Sequence, residues 1–150
     1  MSDADDRQQQ AQDSRPQERK RRNPMAVFNR YDRNDAASRL AIPISSIAAI
    51  SISRKTGETL IMCRPSGVIV LADSFTDAVA EWKKTTDVVV FHQWGDRAAK
   101  LKIPIAVDMA TIGSVEPSRV DGGASSIVRT PSGVINVTET FEAAVEIAQG

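Results

Sequence analysis

The sequence predicts an α+β protein: two tandem repeats of an antiparallel β-meander, each closed by one amphipathic helix, related by a pseudo-twofold axis behind a disordered N-terminal arm. Three observations predict it. The run Pro65-Ser66-Gly67-Val68-Ile69 returns as Pro131-Ser132-Gly133-Val134-Ile135. Each run leads through a polar step to an apolar stripe at helical spacing, Phe75, Ala78 and Val79 in one and Phe141, Ala144 and Val145 in the other. The stretch from Met1 to Pro24 holds no aliphatic side chain larger than alanine apart from Met1, too little apolar surface to offset its ordering entropy. The division expected is therefore an arm over 1–24, a first repeat over 25–86 and a second over 87–150.

In the first repeat, Val27 to Tyr31 is a plausible strand and Asp32 to Asp35 is turn material. Leu40 to Ile44 has apolar residues at every second position, and Pro43, which cannot donate to a ladder, marks an edge or a strand end. Ser45-Ser46 turns into Ile47 to Ser53, where Ile50 and Ile52 alternate with serines as in a half-buried strand. Arg54 to Gly57 is a hairpin turn, and Thr59 to Arg64 and Val68 to Leu71 follow as strands. Ser74 can cap the helix, with Asp77 completing an approximate capping box. Trp82 extends its stripe, and Lys83 and Lys84 suit the negative end of the helix dipole.

The second repeat matches the first in order. Val90 to Trp94 falls on Val27 to Tyr31, and Leu101 to Ile105 falls on Leu40 to Ile44, proline included. Ala110 and Ile112 fall on Ala48 and Ile50. The hairpin loop around Ser118 to Gly123 is longer than its counterpart, as exposed loops tolerate. Ser125 to Thr130 precedes the second turn, with Arg129 in the place of Arg64. Thr140 caps a helix whose stripe ends at Ala148.

Each copy resembles the small flagellar proteins of the FlbD/SwrD type, over roughly residues 26 to 150. The frame is an aliphatic step, a hairpin, a glycine-led strand and a helix opening on a hydroxyl cap. Ile44, Ile47, Ile50, Gly67, Val70, Ser74, Asp77 and Val79 fill it first; Ile105, Met109, Ile112, Gly133, Val137, Thr140, Ala143 and Val145 fill it again. The resemblance implies a small meander with a C-terminal helix, no catalysis, and a role as an accessory of flagellar assembly.

Residue sets for chemistry are missing from the sequence. His92 is the one histidine and Cys63 the one cysteine, so no clustered zinc spacing exists and no internal disulfide can form. His92 shares a strand face with Val90 and Trp94 and reads as structural; Cys63 reads as a packed thiol. Ser66 and Ser132 lack the flanking glycines of a nucleophile elbow. Gly122-Gly123 lacks the lysine and helix of a phosphate loop. The expectation is no enzyme, no cofactor, no metal and no small-molecule substrate.

Lys+Arg and Asp+Glu are both 19, so any basic function must be local. The local candidates for phosphate or partner contact are Arg19, Lys20, Arg21 and Arg22 in the arm, with Arg64 and Arg129 beside the two turns. Trp82 and Trp94 read as core or module-interface residues. No run approaches the apolar length of a membrane helix, and the acidic, polar start is unlike a signal peptide. Open sheet edges need covering. The first function expected is therefore a non-catalytic structural or assembly subunit, such as a phage virion head, tail or decoration component. Its arm would contact neighbours, including copies of itself, in the cytoplasm or in a virion assembled there. The alternative is a nucleic-acid-binding or regulatory adaptor using the arm, or a flagellar-assembly accessory protein.

Overall fold

A computed structural model describes residues 24–31 and 38–150. Apart from Pro24, the arm expected over 1–24 lies outside the described residues, and so do Arg19, Lys20, Arg21 and Arg22.

Among the described residues, ten strands and two helices follow one another in the order the turn chemistry predicts. The strands of the first half are β1 (Met25–Asn29), β2 (Arg39–Pro43), β3 (Ile47–Ile52), β4 (Thr59–Cys63) and β5 (Val68–Leu71), before helix α1 (Phe75–Lys83). The second half repeats this order with β6 (Val88–Asp96), β7 (Leu101–Asp108), β8 (Ser114–Pro117), β9 (Ser126–Thr130), β10 (Gly133–Val137) and α2 (Phe141–Gln149). A one-turn 3-10 helix precedes β3 at Ile44–Ser46 and β8 at Met109–Thr111. All ladders are antiparallel. They form three sheets: β1-β2, β10-β9-β8, and a five-stranded sheet β5-β4-β3-β7-β6 that joins the halves.

Local sequence explains the punctuation. Gly67 (φ 113°) and Gly133 (φ 137°) close the two Pro-Ser-Gly turns in backbone conformations that side chains disfavour. Ser74 accepts a hydrogen bond from the Asp77 N–H at 3.1 Å, and Thr140 accepts one from Ala143 at 3.3 Å, so each helix starts at a hydroxyl cap. The stripes then bury Ala78, Val79 and Trp82 from α1 and Ala144 from α2, while Phe141 stays 36% exposed.

Two apolar clusters result, and each borrows from the other half. Phe28, Ile42, Ile50, Ile61, Leu71 and Trp82 anchor the first, which takes in Val88 and Ala106 from the second half. Phe91, Ile105, Val107, Val128, Val137 and Ala144 anchor the second, which takes in Ala49.

Hydrogen bonds correct the register that side-chain matching suggests. Ile44 N–H donates to Pro24 C=O at the first residue of its 3-10 turn, and Met109 N–H donates to Asp87 C=O at the first residue of the other. Pro43 faces Met25, whereas Pro104 faces His92; Asp108, facing Val88, takes the place of Pro43. The shared Leu-x-Ile-Pro-Ile motif therefore sits at different points of the two ribbons. Arg129 is displaced in the same way. Ile61 faces both Ile50 and Ile69, as Val128 faces both Val115 and Ile135, so Arg129 occupies the register position of Met62 rather than that of Arg64.

Candidate functional site

Beneath each helix N-terminus lies one paired arrangement. The Asp73 carboxylate, directly before the α1 cap, accepts from the Asn29 N–H at 3.0 Å and from Asn29 Nδ2 at 2.6 Å. The Glu139 carboxylate, directly before the α2 cap, accepts from the His92 N–H at 3.0 Å and lies 2.8 Å from His92 Nδ1. Each carboxylate fastens a strand, at the end of β1 or the middle of β6, to a helix start, where the macrodipole favours negative charge. The His92 imidazole is thus held against Glu139. Among the described residues, no group of three or more His, Cys, Asp or Glu could hold a metal ion. Cys63 is half-buried, and burial pushes its thiol above the ordinary value.

Clefts differ in the sign of their lining. One of about 490 Å3 carries Glu58 and Asp73 among Tyr31, Ile52, Leu71 and Phe75. A concavity of about 330 Å3 is lined by Arg54, Gln93, Trp94, Gly95, Arg97 and Asn136, with no acidic side chain. Three elements build it: Arg54 from the β3–β4 hairpin, Gln93, Trp94, Gly95 and Arg97 from the end of β6 and its turn, and Asn136 from β10. It therefore draws on both halves of the chain.

The Trp94 ring organises its cations. Lys102 faces Trp94 across the ladder, with its ammonium 5.5 Å from the ring centroid. The Arg97 guanidinium lies 5.8 Å from the same centroid. Both distances are within cation–π range. Asp96 is the nearest acid in sequence, and its Oδ1 accepts from the Ala98 and Ala99 N–H groups to shape the turn. Lys100 completes that turn with φ 56°, a left-handed conformation more usual for Gly or Asn. The surface so made offers guanidinium, ammonium and amide donors, a set suited to phosphate oxygens and base edges.

Arg64 and Arg129, beside the two turns, do not line that concavity. Arg129 donates from Nε to Glu116 Oε1 at 2.8 Å, an ion pair across β8 and β9. Arg64 follows β4, its N–H donating to Ser46 C=O, and its Nε is buried without an acceptor among the described residues. The sequence pattern does not single out Arg54, Gln93, Arg97, Lys100, Lys102 or Asn136 as site residues, and it gives Trp94 only as a core or module-interface residue. A tryptophan within a few residues of Arg97, Lys100 and Lys102 was the available signal.

No helix among the described residues is long and apolar enough to cross a membrane. No protein-family model matches the chain, and no curated protein matches it. Among solved structures, the chain is similar to the LytTr DNA-binding domain of a putative methyl-accepting/DNA response regulator from Bacillus cereus. The identity is 13% and the TM-score 0.49, over 83% of this chain and 97% of that one. That finding corrects the expectation of a structural or assembly subunit: the solved chain is described as a DNA-binding domain, not as a virion component. The virion head, tail or decoration reading is withdrawn.

Proposed function

We propose that this chain is a duplicated module that binds nucleic acid and acts in regulation. The single observation that carries the reading is the acid-free concavity in which Arg54, Gln93, Arg97 and Asn136 converge around Trp94. With 19 basic and 19 acidic residues overall, a general electrostatic pull is unavailable, so binding needs such a local excess of donors. Guanidinium groups serve phosphate, and amide side chains serve base edges. The identical order of elements in the two halves and the twin carboxylate clamps support the duplication with its pseudo-twofold axis. Arg19, Lys20, Arg21 and Arg22 belong to the same proposal as further phosphate contacts.

Fluorescence anisotropy with labelled DNA and the full chain tests it. Affinity should fall as salt rises from about 50 to 200 mM, the mark of released counterions. Arg54→Ala and Arg97→Ala should each weaken binding and lower the logarithmic salt slope by about 1. Affinity that stays level across that salt range, or that ignores both variants, rejects the reading.

A further inference from the structure

We infer that the partner of this surface is duplex DNA, entered through its major groove by the β6–β7 ribbon; this rests on the nucleic-acid reading above. The ladder geometry isolates the ribbon. β3 pairs with β7 only at Ala106 and Ile105, and the bond from Thr138 N–H reaches β6 at His92 C=O. Past those points, Gln93↔Ile103, Trp94↔Lys102 and Asp96↔Leu101 pair with each other and with no third strand among the described residues. From His92 to Asp96 the free ribbon runs about 13 Å at the rise of a strand. A two-stranded ribbon fits a major groove roughly 12 Å wide and is too broad for a minor groove of about 6 Å.

The tip is charged where a groove wall would be. Arg97, Lys100 and Lys102 are exposed on it, while Arg54 and Asn136 flank its base. Lys100 keeps a cation at a left-handed position that Gly or Asn would fill with less strain, which fits a site selected for charge. Single strands are served differently. They need successive aromatic faces for base stacking. This chain is 5% aromatic, and the Trp94 ring already receives two cations.

The experiment compares a labelled duplex of about three helical turns with its isolated strand, using the full chain. Methyl green, which occupies the major groove, and netropsin, which occupies the minor groove, serve as competitors. The duplex should bind more tightly than the single strand, methyl green should displace the protein, and netropsin should not. Arg97→Ala and Lys102→Gln should each weaken duplex binding about three- to tenfold near 0.1 M salt. Both residues are exposed, so unchanged thermal unfolding confirms intact variants. Equal or tighter binding to the single strand, displacement by netropsin, or indifference to methyl green overturns this inference and leaves the nucleic-acid reading standing. Failure to bind either form overturns both.

Discussion

The ribbons β1–β2 and β6–β7 begin alike and are finished differently. In each, a phenylalanine (Phe28 or Phe91) is buried one residue before the clamped position, Asn29 or His92. The opposite face then diverges. Val88 and Ala106 are buried on the first half's core, whereas Met25 and Val27 remain 46% exposed and Ala41 is exposed. The strand offered to each ribbon accounts for the difference. β3 brings Ile50 and Ser51 against Ala106 and Ile105, and Ser51 Oγ donates to Pro104 C=O at 2.9 Å. At the same register β8 has Val115 and Glu116, followed by Pro117, where β3 has Ile52. A proline without an N–H and a carboxylate held by Arg129 blunt that edge, so β8 ends its own sheet and β2 is left paired with β1 alone. Two similar halves thus give one continuous sheet and one interrupted one.

The largest expected break in the comparison lies in the helices. Trp82 is 1% exposed and fills the first core, while Ala148 stands at the matching turn of α2. Trp82→Ala should cost about 3 to 5 kcal/mol in urea unfolding. Its indole N–H finds no acceptor among the described residues, so the loss is one of packing. A cost below about 1 kcal/mol would mean that α1 does not depend on this side chain.

The clamps offer a sharper, smaller contrast. Asp73→Ala and Glu139→Ala each remove a two-point attachment that charge strengthens, at about 1 to 3 kcal/mol. Glu139 should cost more, because its side chain is 14% exposed and water replaces its bonds poorly. His92→Asn copies the first half: the backbone bond survives and the new amide can still donate, so thermal unfolding should move little. A large loss there would show that the imidazole packs in a way Asn29 does not.

The clamps also show what was legible. Asp73-Ser74-Phe75 and Glu139-Thr140-Phe141 carry acid, cap and aromatic in one order, a repeated signal that passed for capping alone. Turns and helices were readable because glycine at positive φ and hydroxyl caps act locally. Strand register was not. Aliphatic side chains are interchangeable on a pleated face, so Leu-x-Ile-Pro-Ile matched itself at the wrong depth, and Arg129 was set against Arg64. The FlbD/SwrD resemblance rests on that same aliphatic frame. The concavity escaped for another reason: Arg54, Trp94 and Asn136 are far apart in the chain and meet through sheet pairing, whereas contiguous basic residues such as Arg19 to Arg22 are visible to the eye.

The smallest effect concerns a fastening the second half lacks. Glu81 Oε2 accepts from the Val27 N–H at 3.1 Å and Oε1 pairs with Lys84 at 2.8 Å; α2 has Ile147 at that turn. The Lys84 hydrogen bond, then that from Val27, holds the Glu81 carboxyl below its ordinary 4.5. A depressed carboxylate stabilises the folded chain fully above its unfolded value and loses that contribution as pH falls through the folded one. Stability from Glu81 should therefore be complete at neutral pH and fade below about 4.5. The group is close to solvent, so screening limits Glu81→Gln to about 0.5 kcal/mol at pH 7. The difference between wild type and variant should shrink as pH falls and close once the carboxyl is protonated in the folded chain as well. A gap that persists there would place the role of Glu81 in its shape, with β1 held to α1 by contact alone.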